Sequence, residues 1–491
     1  MVYRRVLLGV CAVTTFAAVA MAATDTVLIL HTNDLHDHIR SNYDGIGGLP
    51  YVSGYIKSVR AERPDTLVLD GGDVMEKGDM LPFLTKSTAM YEAIAQIGYD
   101  AGAVGNHDST YGIDHLHACE KLAGGMKLLC LNMLGSDKEP CFTPSALFDV
   151  DGVKVGVIGL TVQRGTNVLP VAASGKALAT EAERLDREAH LIVAVCHLGS
   201  KDCAVLSALA PNVDVFISGH THEVIRETKA VKDTGAVIVQ AGNYGSYVGR
   251  LELTIDLDSE AIVQRDGRLV SLEHDTAPCD TELAAWILER ERMVCADAPR
   301  VVACSNRSLS HAECARLVAA ALRERGGAEI GLCHAKTIVR EVLVEGEVDV
   351  NALFRTGGQK GYDLVSVGLT GSEIEQYFVH SMTENKGWSQ WVGFRARMEG
   401  SGASRTMATN LEPDRVYSVV LTAREWTDHM APMLDKAAKT AGNPPPTARR
   451  RPCDFTFIDA LKAYAEKLTA AGIALDADED RLAKESELPA G

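Results

Sequence analysis

Five short segments carry the residues best suited to chemistry: Asn33-Asp34-Leu35-His36, Gly71-Gly72-Asp73, Gly105-Asn106-His107-Asp108, Cys196-His197-Leu198-Gly199 and Gly219-His220-Thr221-His222. A mixture of imidazole and carboxylate ligands suits manganese, zinc, iron or cobalt; calcium takes oxygen alone. Asp34-x-His36 is expected to set two ligating groups on the same side of an extended segment, as chelation of one ion requires. His220-x-His222 does the same or divides its rings between two neighbouring ions. Asp73, closing a Gly-Gly turn, has two carboxylate oxygens with which to bridge a pair. A lone strand-end histidine is usually a satisfied polar residue and Gly-Asp a common turn, so each motif alone carries little weight. Five in order, each after an apolar run, read jointly as a metal site.

The elements that must position these segments are legible around them. Continuous apolar runs at 27–30, 67–69, 153–159, 191–195, 213–217 and 237–239 suit strands buried on both faces, and segments 51–60 and 90–97 carry helical periodicity. The alternation describes a layered α/β domain over 24–258. In an open α/β sheet the carboxyl ends of the strands line the ligand crevice, which lets the five segments converge. Residues 259–300 read as a linker with an amphipathic connecting helix at 281–293. A second, smaller α/β domain is expected over 301–475, with helices at 313–325, 372–382 and 459–468 and strands at 362–369 and 417–421. Pro444-Pro445-Pro446 reads as a stiff surface loop, and 476–491 as a charged tail.

Composition narrows the partners. A chain of 491 residues, 46% hydrophobic, is too long for one ordinary core, so two domains are expected. A net charge of −17 argues against a nucleic-acid polymer, whose binding needs clustered Lys and Arg. An acidic protein that handles phosphate needs local positive charge, and bound metal ions supply it. Arg4 and Arg5, the apolar stretch 6–19 and Ala20-Met21-Ala22 read as a signal peptide over 1–22, so a secreted or periplasmic protein is expected. That stretch is short for a span and no later one is long enough, so no stable membrane anchor is expected. Cys11 leaves with the signal, and the remaining cysteines are irregularly spaced without C-x-x-C, which argues against a cysteine-built zinc site and leaves disulfide pairing open.

The five segments resemble the signature set of calcineurin-like metallophosphoesterases. Gly47-Gly48 and the segment from Tyr244-Gly245 to Gly249 resemble the exported 5′-nucleotidase branch, which also includes sugar-nucleotide hydrolases and a thiosulfohydrolase. The resemblance implies a four-layer α/β/β/α metallophosphoesterase sandwich followed by a smaller α/β domain like the 5′-nucleotidase C-terminal domain. It implies two divalent metal ions, one held by Asp34, His36, Asp73 and His222 and the other by Asp73, Asn106, His197 and His220, with Asp73 as the bridge. It places Asn106 and His107 against the substrate, His107 as a catalytic non-ligand that stabilises the phosphoryl charge or assists the leaving group. The implied reaction is hydrolysis of a small-molecule phosphate monoester, with a 5′-nucleotide the first to try, by in-line attack of a metal-activated hydroxide.

The chain departs from the branch in places. The aspartate that usually follows the catalytic histidine by three residues is Thr110 here, and Asp108, as a neighbour on extended backbone, is expected to point away. In the second domain the branch's Asn-x-Gly-Gly-Ile-Arg segment reads His334 to Arg340 with the arginine displaced by one, and its Pro-Phe-Gly-Asn segment reads Gln359-Lys360-Gly361-Tyr362. Leu369-Thr370-Gly371 and Phe457-Ile458-Asp459-Ala460 agree with it, and by that register Trp391 and Phe457 fall at the base-stacking positions; the rival reading makes both core residues. Rival functions keep the metal chemistry on a cyclic nucleotide, a sugar nucleotide, another phosphoester or a sulfur ester, or abandon catalysis for adhesion or ligand capture. Intact ligands in all five segments count against the last.

Overall fold

Period-two alternation sorts the strand side chains among three cores. In β1 (Thr24–Thr32), Val27 and Ile29 face one way and Leu28 and Leu30 the other. In β6 (Val153–Thr161), Val155 and Val157 join Val27 and Ile29, whereas Ile158 and Leu160 turn to the opposite face. A strand whose two faces are both apolar must be covered on both sides, and that requirement produces the layers. The computed structural model describes residues 24–257, 259, 261–358, 363–384, 389–400, 406–440, 442–476 and 482. The expected signal peptide at 1–22, the Gln359-to-Tyr362 segment and most of the expected tail lie outside them.

The remaining strands of the first domain are β2 (Leu67–Asp70), β3 (Ala101–Ala103), β4 (Lys127–Leu129), β5 (Ser145–Val150), β7 (Leu191–His197), β8 (Val215–Ser218), β9 (Lys229–Ala230), β10 (Val237–Val239), β11 (Tyr247–Asp256) and β12 (Ala261–Ser271). They form two six-stranded sheets, in the orders β12-β11-β1-β2-β3-β4 and β5-β6-β7-β8-β10-β9. Strands β1 to β4 run parallel, as do β6, β7, β8 and β10. The sheets face each other across a core that includes Leu69, Val157, Val193 and Ile217. Helices Leu49–Glu62 and Thr88–Ile97 cover the outer face of the first sheet, and Val171–Leu185 and Ser200–Leu209 that of the second. The result is the four-layer α/β/β/α sandwich.

One boundary moves. Residues 261–271, expected in the linker, form the edge strand β12, paired antiparallel with β11. Their largely exposed, polar sequence lacks the apolar alternation that marks a buried strand, as edge positions permit. The helix Thr281–Val294 also packs on the first domain through Leu283 and Ile287. Its cap residue Asp280 accepts from the Leu283 N–H at 3.0 Å and from the Ser53 hydroxyl at 2.6 Å, which fixes the helix start to the helix Leu49–Glu62.

The smaller domain is built on a five-stranded sheet in the order Ser389–Val392, Ile330–His334, Val416–Thr422, Leu364–Thr370, Arg450–Pro452. Helices His311–Arg325 and Phe457–Ala470 cover one face, and Gly371–Glu384 and Ala431–Thr440 the other. Phe457 is the first residue of a helix closed by a Thr456/Asp459 capping box, which turns its ring into the core beside Gly357, where it is 1% exposed. Trp391 packs in the other core, against Phe378 and Phe394 at 4.5 and 5.5 Å between ring centroids. The two rings therefore lie in cores on opposite faces of the sheet, and the expected aromatic clamp is not formed by this pair. Phe457→Leu is expected to lower the urea midpoint of unfolding while leaving the ratio of KM for AMP to KM for p-nitrophenyl phosphate unchanged; a selective rise for AMP would return the ring to the substrate.

Candidate metal centre

All five chemical segments leave the carboxyl ends of parallel strands: Asp34 and His36 follow β1, Asp73 follows β2, Asn106 and His107 follow β3, His197 ends β7, and His220 and His222 follow β8. The backbone there is not extended. Asp34, His36, Asp73, His220 and His222 all have left-handed φ, between 48° and 71°, which corrects the expectation of extended chelating segments. Non-glycine residues persist in that region only where their surroundings fix them, and here five candidate ligands share it. Close approach explains the glycines. A Cβ on Gly105 would lie 2.2 Å from the Asp73 amide nitrogen, and Gly72 has φ 90°.

The side chains gather in two groups, Asp34 with His36 and His222, and Asp73 with His197 and His220. Asp73 Oδ2 joins them, 3.0 Å from His197 Nε2 and 3.7 Å from His36 Nε2. Its other oxygen, Oδ1, accepts the His107 backbone N–H at 2.7 Å, so a single oxygen rather than both faces the two groups. His36 Nε2 lies 3.7 Å from Asp34 Oδ1 and 3.2 Å from His222 Nε2. The second ring nitrogens are held from outside: His36 Nδ1 donates to the Met75 carbonyl at 3.2 Å and His197 Nδ1 to the Gly71 carbonyl at 2.9 Å. In a neutral ring that support places the proton on Nδ1 and leaves Nε2 its lone pair, the arrangement that metal-ligating histidines use.

Charge in the site is unbalanced toward the negative. Burial pushes the Asp34 and Asp73 carboxyls up, yet the surrounding imidazoles outweigh it and both stay below the ordinary carboxylate range. Burial drives His36 down to about 3, so its ring is neutral. Burial also disfavours charge on His197, but the Asp73 and Asp34 carboxylates overcome it and raise the ring to about 9. Two buried carboxylates that raise a fully buried imidazole in this way have the electrostatics of a place suited to positive ions.

Sequence reasoning missed three contributors. Asp108 turns to backbone N–H groups rather than to His107, as expected, but its role there was not foreseen. Its buried carboxylate accepts from the backbone N–H groups of Gly105, Asp73 and Met75 at 2.6, 3.0 and 3.0 Å, tying the β2 and β3 loops together. The Glu76 carboxylate is in hydrogen-bond contact with His107 Nδ1. Tyr244 stacks on His38 at 3.9 Å and sets its edge against His36 and His222, both at 5.9 Å. Asp108 and Tyr244 stood in segments the sequence singled out, Gly105 to Asp108 and the Tyr-Gly segment, whereas Glu76 had no signal there.

The calcineurin-like phosphoesterase profile matches residues 27–224, the span that carries all seven candidate metal ligands and His107. Residues 27–224 belong to the calcineurin-like phosphoesterase family. Protein UshA of Yersinia enterocolitica is 25% identical over 526 residues, covering 90% of this chain and 91% of the relative. A 5′-nucleotidase of Vibrio vulnificus is 27% identical over 300 residues, covering 53% of this chain and 51% of its own length. The structure of a 5′-nucleotidase precursor from Thermus thermophilus superimposes with a TM-score of 0.67 at 22% identity, over 90% of this chain and 97% of that one. The likeness thus includes the smaller domain as well as the sandwich. The chain is a hydrolase of the metallophosphoesterase type.

Proposed function

We propose that this metallophosphoesterase hydrolyses small phosphate monoesters, 5′-nucleotides first among them, at a pair of divalent ions, in an exported protein. The observation that carries the reading is a set of buried ligand atoms left without other work. Both side-chain polar atoms of Asn106 are buried without a hydrogen-bond partner, on the loop whose next residue, His107, donates its N–H to Asp73, and His197 Nε2 meets only the carboxylate Asp73, at 3.0 Å. Orphaned buried polar atoms are costly, and cations would satisfy them. Asp34, His36, Asp73 and His222 would hold one ion and Asp73, Asn106, His197 and His220 the other, with Asp73 shared between them. When bound, such ions supply an activated water and neutralise charge on the transferring phosphoryl group. Among the described residues no helix is long and apolar enough to cross a membrane.

The chain's own residues supply the rest. His107 stands beside the ligands, its ring 5.3 Å from that of His36, and offers a proton to the leaving oxygen. The smaller domain reaches the rim of the site through Glu341, whose carboxylate accepts from His38 Nε2 at 2.7 Å. Metal analysis combined with turnover of AMP, a cyclic nucleotide, a sugar nucleotide, p-nitrophenyl phosphate and a thiosulfate ester in manganese, zinc and cobalt tests the proposal. Two ions per chain and preferential cleavage of the monoesters are expected; preference for another class, or metal without turnover, would refute it. His107→Ala should keep both ions and lose roughly 10²–10⁴ in kcat. Loss of metal instead would make His107 a ligand.

A further inference from the structure

We infer that Glu76 is the positioning residue of His107, supplied from the β2 loop in place of the aspartate that Thr110 replaces. The inference rests on the phosphomonoesterase reading above and adds the residue that aims its proton donor. The Glu76 carboxylate touches His107 Nδ1, with both side chains largely buried. Thr110 cannot serve: its side chain is exposed and its backbone N–H donates to the His107 carbonyl.

The loop is built to deliver Glu76. Glu76 and Lys77 are consecutive non-glycine residues at φ 71° and 82°, a strained pair that needs outside support. That support is explicit. The Glu76 N–H donates to Asp37 Oδ2 at 2.6 Å, an oxygen that also accepts the Ser87 hydroxyl at 2.8 Å. On the other side the Met75 N–H donates to Asp108 Oδ1 at 3.0 Å. Because Asp108 also holds the Gly105 N–H, one buried carboxylate braces both the loop that carries Glu76 and the loop that carries His107. Strain braced this way at a site persists for what it positions.

With Nδ1 engaged by a carboxylate, Nε2 is the ring atom left to face the ester, and the ring cannot turn it away without breaking that contact. In the step it serves, a water oxygen bonds to phosphorus and the ester P–O bond breaks with its electron pair kept by the leaving oxygen. The proton on Nε2 moves to that oxygen, and the proton shed by the water restores the imidazole. Assistance of this kind matters for an alkoxide leaving group and little for p-nitrophenolate, which departs without a proton.

The test compares wild type, Glu76→Gln, Glu76→Ala, His107→Ala and Glu76→Gln/His107→Ala, each with metal content measured, on AMP and on p-nitrophenyl phosphate. Both Glu76 variants should retain two ions, lose roughly tenfold to a hundredfold in kcat on AMP, and lose less than a few-fold on p-nitrophenyl phosphate. The double variant should be no slower than His107→Ala, because residues that act as a unit are not additive. In ¹⁵N spectra of the zinc-loaded enzyme, Glu76→Gln should shift the His107 Nδ1 signal. Equal losses on both esters, an additive double variant, loss of metal, or an unmoved Nδ1 signal would each overturn the inference. A wild type that cleaves neither ester would fell the phosphomonoesterase reading instead, and the Nδ1 signal would still decide whether Glu76 holds the ring.

Discussion

Asp73→Asn should reduce turnover to the limit of detection and lower the bound metal, the largest catalytic loss expected of any single substitution in this chain. Among the described carboxylates, Asp73 Oδ2 is the one oxygen within 4 Å of an imidazole from each group of candidate ligands, 3.0 Å from His197 Nε2 and 3.7 Å from His36 Nε2. Asparagine keeps the size and the acceptor for the His107 N–H, so the fold of the loop has no reason to change. What it removes is the charge between the two groups of candidate ligands, and a neutral amide oxygen cannot bridge as a carboxylate does. Charge stabilisation by a metal pair is worth several kcal/mol in the transition state, and a loss of about 4 kcal/mol alone is roughly a thousandfold in rate. The variant should also weaken metal retention on dialysis, because both sites share the ligand. Two retained ions with activity within a few-fold of wild type would remove Asp73 from the bridging role.

What the sequence disclosed and what it hid follow from the range of the forces involved. Val27-Leu28-Ile29-Leu30 and Val153 to Gly159 were legible because a strand covered on both faces must be apolar throughout, a purely local signature. The residues that gather at the site were legible for a related reason: ligand chemistry restricts residue type, and strand ends restrict position. Strand β12 was not, because an edge strand satisfies its backbone with one partner and leaves its side chains to solvent, so its composition resembles a linker. Phe457 shows a different limit. Register against a family fixes where a residue lies along a helix, but the Thr456 capping box fixes which way the first turn faces, and it faces the core. Glu76 was invisible altogether. Its contact with His107 joins two loops separated by 31 positions, through a turn held by Asp37 and Asp108, and no local pattern encodes such a meeting.

Arg355→Met should destabilise the protein by about 3–5 kcal/mol, the largest stability loss expected from a single charge removal. Arg355 is 1% exposed at the junction of the two domains, its Nε 2.8 Å from Asp79 Oδ1 and its guanidinium 5.2 Å above the Tyr43 ring. Burial pushes the Asp79 carboxyl up, but the Arg355 charge outweighs it and holds it ionised. Methionine fills much of the space and leaves that carboxylate buried without its main counter-charge. The Asn351 amide at 2.6 Å and the Arg40 backbone N–H at 2.9 Å donate uncharged hydrogen bonds, and the Arg40 guanidinium, which also favours the ionised Asp79, is itself paired with Glu291 and Asp349. A buried pair costs desolvation of both ions, so its net worth is small while the cost of breaking it is large. The double variant Asp79→Leu/Arg355→Met should therefore recover most of the stability that the single variant loses. Because the pair lies between domains, the single variant should also separate their unfolding into two transitions in urea, with the metal content of the folded protein unchanged. A single variant within 1 kcal/mol of wild type, or a double variant no better than the single, would show that the junction draws its stability from the apolar and neutral contacts around the pair.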